Sequence, residues 1–223
     1  MNARAHAEAI RRVRARVVVF PELSLTGYEL NADAVDTEDA ALCTIVAACA
    51  ETQSIALVGA PVAEHGRRFI ATVRIDETGA AVAYRKSHLG GDEPRRFSPG
   101  DGPATIDVDG WRVGLGICKD TGVQRHIAAT AALDIDVYVA GVVHLPSELA
   151  EQDERGKRIA ATCDSYVVFA SFAGPAGGGY DETAGHSTIW SPDGQVLARA
   201  RTSPGDVAVA ELPDSATDHS VVA

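Results

Sequence analysis

The chain has 223 residues, 46% hydrophobic and 23% charged, and its 20 Lys/Arg against 31 Asp/Glu give a formal net charge of −11. That balance argues against nucleic acid or an anionic membrane surface as the main partner, since both are themselves polyanions. No apolar run approaches the roughly 20 residues that a membrane helix needs, so no membrane partner is expected.

In chain order, the opening stretch MNARAHAEAIRRVRAR lacks the apolar core of a secretory signal. Its periodicity predicts an amphipathic helix over Ala5 to Arg14, with Ile10 and Val13 inward. Val17 to Phe20 reads as a short apolar strand, Thr37 to Thr52 as a helix and Ile55 to Val62 as a buried strand. Phe69 to Ile75 and Ala80 to Arg85 flank a turn sequence and read as a hairpin. A strand over Arg112 to Cys118, an alanine-rich helix over Gly122 to Leu133 and a strand over Asp136 to Val143 follow. A charged amphipathic helix spans Glu148 to Asp164. Strands at Val167 to Phe172, Ser187 to Trp190, Val196 to Arg199 and Val207 to Glu211 close the set, and residues 213–223 read as an irregular tail. With no linker and no internal repeat, one domain over 1–223 is expected. The alternation predicts an α/β fold with mixed sheets. The four cysteines, Cys43, Cys49, Cys118 and Cys163, form no CxxC pair. Reduced thiols and a cytoplasmic location are therefore expected. Cys43 and Cys49 read as core, Cys163 as helix-buried.

Three predicted strands end in a chemically capable residue: Glu22, Lys86 and Cys118. Sites in α/β sheets gather beyond the carboxyl ends of strands. A cysteine is a strong nucleophile only as its thiolate, so it needs a base or a positive neighbour. Glu22 supplies a base, Lys86 a cation, and the backbone N–H of Lys119 a further donor for an oxyanion. A helix starting just after Cys118 would add its dipole. Taken singly, each residue also has an ordinary structural reading: a core thiol, a turn cap, a solvated strand end.

The local contexts of these residues are specific. VVFPELSLTGY (Val18 to Tyr28), YRKSHL (Tyr84 to Leu89) and GLGICKD (Gly114 to Asp120) resemble, in order, the three signatures of the carbon–nitrogen hydrolase family, the nitrilase superfamily. FSPGD (Phe97 to Asp101) and GHSTIWSPDG (Gly185 to Gly194) resemble two further segments of it, so the likeness runs from about Ala5 to Glu211. The resemblance implies a four-layer α-β-β-α sandwich and a triad of Glu22 as general base, Lys86 as cationic stabiliser and Cys118 as nucleophile. It implies a second glutamate, Glu93, orienting Lys86. It also implies no metal or organic cofactor, and assembly into a homodimer or larger homo-oligomer. The implied activity is hydrolysis of a non-peptide C–N bond in a small linear amide or N-carbamoyl compound through a thioester. A catalytically impaired member acting as a binding or assembly subunit is the alternative.

Two features depart from the family pattern. The family normally opens with a strand before the first helix, whereas this chain opens in that helix; either the native start lies upstream or one sheet edge is left exposed. The residue after the nucleophile is Lys119, where an aromatic is common; its ammonium could lower the thiol pKa or pair with Asp120. Thr121 and His144 are candidate substrate contacts. The stretch Gly177 to Tyr180 is a candidate pocket edge or an ordinary flexible connection. The histidines show no metal-ligand spacing. Gly114-Leu115-Gly116 lies within a strand and lacks the third glycine of a dinucleotide loop.

Overall fold

Val17 and Val19 face one way from their strand and Val18 the other, and both faces are buried. That pattern belongs to a strand with layers on both sides. The computed structural model describes residues 1–213 and 218–222. In chain order the elements are α1 (Ala3–Val13), β1 (Val17–Val19), α2 (Cys43–Thr52), β2 (Ile55–Glu64), β3 (Arg67–Asp76), β4 (Gly79–Arg85), β5 (Ala104–Val108) and β6 (Trp111–Ile117). There follow α3 (Gln124–Ala131), β7 (Val137–Val142), α4 (Leu149–Cys163), β8 (Tyr166–Ser171), β9 (Thr188–Trp190), β10 (Val196–Arg199), β11 (Val209–Pro213) and β12 (Asp218–Val222).

The strands form two six-stranded sheets, ordered β11-β12-β1-β2-β3-β4 and β10-β9-β8-β7-β6-β5. Both are mixed: β1 runs parallel to β2 and β12, and β7 parallel to β6 and β8, while the outer pairs are antiparallel. Three apolar cores define the layers. Val17, Val19, Leu57, Ile70, Leu115, Val139 and Val168 fill the space between the sheets. Ile10, Val18, Ile45, Val58 and Val73 join the first sheet to α1 and α2. Ile127, Tyr138, Ile159, Phe169 and Trp190 join the second sheet to α3 and α4. The α-β-β-α sandwich expected from the resemblance is thus the observed architecture.

Several local expectations are corrected. The helix predicted from Thr37 starts at Cys43, after a single 3-10 turn over Ala40–Leu42 whose entry Asp39 caps by accepting from the Ala41 amide. Cys43, expected in the core, is exposed at the start of that helix. The strand β5 has a weak apolar pattern, ATIDV, and was not predicted; its pairing with β6 supplies what its sequence lacks. The tail was expected to be irregular. Residues 214–217 and 223 lie outside the described residues, but 218–222 form β12, parallel to β1 on one side and antiparallel to β11 on the other. Strand β12 thus covers the edge of β1 and satisfies its backbone groups. Among the described residues no helix is long and apolar enough to cross a membrane.

Candidate active site

Glu22, Lys86 and Cys118 each lie just past the carboxyl end of a strand, β1, β4 and β6 respectively. The inter-sheet packing brings these ends together. The Lys86 ammonium donates to Glu22 Oε1 at 2.7 Å and to Glu93 Oε1 at 2.7 Å, and all three side chains are buried. The Cys118 thiol donates to the Val143 carbonyl at 3.5 Å. Glu22 Oε2 accepts no hydrogen bond among the described residues, and the thiol is close enough to that carboxylate to favour its charged form.

Burial dominates the electrostatics. It pushes the Glu22 carboxyl up to about 7, against the pull of Lys86 and with the help of the Glu93 charge. It pushes the Cys118 thiol up to about 12, aided by Glu22 and opposed by Lys86. For Lys86 burial acts downward, but Glu22, Cys118 and Glu93 outweigh it, and the ammonium is held above its ordinary value. The resting site thus holds a neutral thiol, a permanently charged lysine and a carboxyl that exchanges its proton near neutrality. Lys86 does lower the thiol, as a positive neighbour is expected to, but burial outweighs it.

Each residue is held by a mixture of near and distant partners. Lys86 ends a strand, and its carbonyl accepts from the Gly100 amide of the FSPGD stretch. Glu93 sits in a 3-10 turn; its Oε2 accepts from the Gly90 amide at 2.8 Å, and its Oε1 also accepts from the Tyr28 hydroxyl at 2.6 Å. Tyr28, the last residue of the first signature, was not singled out from sequence, because only the folded chain puts it against Glu93. Cys118 occupies a left-handed backbone conformation, φ +37°. Such strain at a non-glycine residue persists only where surroundings enforce it. Here the Asp120 carboxylate accepts from the Ile117 amide at 3.1 Å, and the Thr121 hydroxyl donates to the Cys118 carbonyl at 2.6 Å. Cys118 opens a single 3-10 turn that runs to Gly122, and α3 begins only at Gln124, so the helix expected to start just after the thiol is a short 3-10 turn followed by α3.

The remaining predicted residues separate. Thr121 is fully buried, with its hydroxyl engaged on Cys118, and is an anchor of the turn. His144 lines the cavity above Cys118. Its Nδ1 lies 2.9 Å from Gln152 Oε1, and the Gln152 amide nitrogen donates to the His186 carbonyl, so Nδ1 carries the proton. The Nε2 lone pair then accepts from Arg155 at 3.4 Å. Burial holds His144 below its ordinary pKa, hence neutral. Lys119 is exposed and does not pair with Asp120, which instead accepts from the Tyr84 hydroxyl and from the amide and Nδ1 of His88.

The cavity, about 380 Å³, has Lys86, Glu93 and Cys118 at its base, and Tyr28, Lys119 and Arg155 among its walls. Gly178 and Tyr180 also border it, so the glycine-rich loop is a pocket edge. One group among the described residues has a donor set for a divalent cation: His88, Asp120 and His126, with ligand atoms within 4.8 Å of one another. Both Asp120 oxygens and both His88 nitrogens already make hydrogen bonds, the latter to Asp120 and Arg125. The cluster is a brace for the turn that carries Cys118.

Comparison with known proteins identifies the family and the fold. Residues 2–219 match the family model for carbon-nitrogen hydrolase. The chain is 30% identical over 212 residues to a hydrolase in the pqqF 5′ region of Pseudomonas protegens, covering 88% of this chain and 72% of that one. It is 30% identical over 198 residues to an (R)-stereoselective amidase of Pseudomonas sp., covering 82% and 68%. Among solved structures, a double mutant of the amidase from Nesterenkonia sp. AN1 in complex with acrylamide superposes with a TM-score of 0.84 at 22% identity, over 96% of this chain and 85% of that one. The order of the motifs, the sandwich that unites them and these matches lead to one conclusion: the chain belongs to the carbon–nitrogen hydrolase family.

Proposed function

We propose that this protein hydrolyses a non-peptide C–N bond of a small linear amide or N-carbamoyl compound, with Cys118 as nucleophile. The observation that carries the reading is the Lys86 ammonium bridging two buried carboxylates beside the thiol at the base of an open cavity. Cys118 Sγ attacks the amide carbon while Glu22 takes the thiol proton. A carboxyl near 7 is well matched to this task at neutral pH. The negative charge that develops on the carbonyl oxygen is met by the Lys86 ammonium and the Lys119 backbone N–H. Glu22 then passes the proton to the departing nitrogen, and the C–N bond breaks to leave a thioester. Water, deprotonated by Glu22, attacks the thioester carbon, and the C–S bond breaks to release the acid and restore the thiol. Glu93, held by Tyr28 and the Gly90 amide, keeps Lys86 in place through both half-reactions.

Two measurements test this. Ammonia release from a panel of short amides and N-carbamoyl compounds is expected for the native chain and lost in Cys118→Ala and Glu22→Gln. Iodoacetamide labelling is expected to be fast at Cys118, slowed by Glu22→Gln, and slow at buried Cys49. Slow labelling of Cys118 together with no turnover in a folded sample would overturn the reading and favour a binding or assembly subunit.

A further inference from the structure

The carboxyl ends of β4 and β6 belong to different sheets, yet both are tied to one carboxylate. Asp120, two residues past Cys118, is fully buried. Its Oδ2 accepts from the Ile117 amide at 3.1 Å and from the Tyr84 hydroxyl at 2.8 Å. Its Oδ1 accepts from the His88 amide and from His88 Nδ1, each at 2.9 Å. No Lys or Arg pairs with it among the described residues, so these donors stabilise the buried charge. Tyr84 and His88 bracket Lys86 along the chain, two residues before it and two after. The Ser87 amide also donates to the Tyr84 hydroxyl, at 3.3 Å, so the chain on both sides of Lys86 closes on the same group. On its other side the imidazole meets α3: Arg125 Nε donates to His88 Nε2 at 3.0 Å. One tautomer, with the proton on Nδ1 and the lone pair on Nε2, satisfies both partners.

We propose that His88 is a positioning residue for the reaction, holding Lys86 and Cys118 in register across the two sheets through Asp120. This rests on the amide-hydrolase reading above and assigns a role to a residue outside the triad. Lys86 and Cys118 sit on strands of different sheets, so local structure alone does not fix the distance between ammonium and thiol. The clamp does: one arm runs from Lys86 to His88, the other from Cys118 to Asp120, and the two arms meet in hydrogen bonds. Cys118 keeps a left-handed backbone, φ +37°, and Asp120 holds the amide on its N-terminal side. Losing the imidazole removes one of the two bonds on Oδ1. The carboxylate then turns toward its remaining donors, and the strained turn relaxes with it. A displacement of about 1 Å between reacting groups costs on the order of 100-fold in rate.

The test separates position from charge. His88→Asn puts a side-chain N–H where Nδ1–H lies, whereas His88→Gln reaches the Nε2 position and leaves Oδ1 with the backbone amide alone. Both variants are followed by ammonia release from propionamide and by iodoacetamide labelling of Cys118 across pH. His88→Gln is expected to lower kcat on the order of 10- to 100-fold with KM nearly unchanged. It is expected to slow labelling too, with the pH midpoint still near 7, because Glu22 is untouched. His88→Asn is expected to retain most of the native rate. Native kcat and labelling in a folded His88→Gln overturn the proposal. Equal loss in both variants, or a moved midpoint, overturns it as well, since the effect would then lie in the ring's bulk or in the base. Labelling needs no substrate, so it decides even where propionamide is a poor one. Where His88→Gln does not fold, Tyr84→Phe removes another donor from the same carboxylate: a several-fold loss of rate at an unmoved midpoint supports the clamp, and a native rate overturns it. Slow Cys118 labelling and no turnover in the native chain would instead overturn the hydrolase reading and this inference with it.

Discussion

Gly59 in β2 and Gly141 in β7 close on the same turn of backbone from opposite sheets. A Cβ built on Gly59 would stand 2.3 Å from Pro21 O and Leu23 N, and one on Gly141 2.7 Å from Glu22 N and Phe20 O. The turn that delivers Glu22 thus runs through a slot just wide enough for main chain. Gly141→Ala is expected to push this turn and with it Glu22. The core is already close-packed, so a stability loss of about 1–3 kcal/mol is expected. Displacing a base by about 1 Å costs on the order of 100-fold in rate. Denaturant unfolding and amide turnover check the two parts; native-like rates in the variant would show that the slot does not set the position of Glu22.

The pH dependence follows from Glu22. As the base it must be ionised, so turnover and Cys118 alkylation are expected to rise with pH through about 7 and then level off. Glu93 raises Glu22, so Glu93→Gln is expected to move that midpoint downward, besides slowing the reaction by loosening Lys86. For stability the sign is opposite to the activity. The folded pKa lies above the ordinary 4.5, so this group's stabilising contribution is full below 4.5 and is lost as pH rises through about 7. A rate midpoint that stays put in Glu93→Gln would remove Glu93 from the electrostatics of the base.

Lys86 is the partner of two buried carboxylates. Lys86→Met leaves both without their cation, a change that costs about 3–5 kcal/mol when a buried ion pair is broken. Part of that loss is expected to be recovered at low pH, where Glu22 takes up its proton. Equal destabilisation at pH 5 and pH 8, measured by thermal unfolding, would contradict this account.

A second titration ties α1 to the site. His6 is buried, with its Nδ1 2.8 Å from the Asn2 carbonyl and its Nε2 2.9 Å from the Ser24 hydroxyl, two residues after Glu22. Burial lowers His6 to about 4, against the smaller upward effect of the Asn2 carbonyl. A depressed folded pKa means that its contribution is present above the ordinary 6.5 and is lost as pH falls through about 4. His6→Gln is expected to flatten the fall in Tm between pH 6.5 and 4. An unaltered slope would assign acid sensitivity to other groups.

Much of this molecule is local in origin. The strands β2, β3, β7 and β8 carry dense apolar runs, and α1 and α4 carry a clear helical period, so their type and place follow from residue pattern alone. Glu22, Lys86 and Cys118 were legible because each ends such a strand within a distinctive local motif. Tyr28 on Glu93 and the freedom of Lys119 from Asp120 were not legible, since both depend on which side chain arrives from a distant segment. The thiol's high pKa and the near-neutral Glu22 depend on burial between two sheets, a quantity that no single segment contains. Strand β12 lies at the same limit. Its short sequence has no strong strand pattern beyond Val221 and Val222, and it is a strand because β1 and β11 offer it unpaired backbone groups on both sides. Local pattern determined which residues could do chemistry; tertiary packing decided which of them meet, because desolvation and hydrogen-bond partnership are properties of the assembled layers.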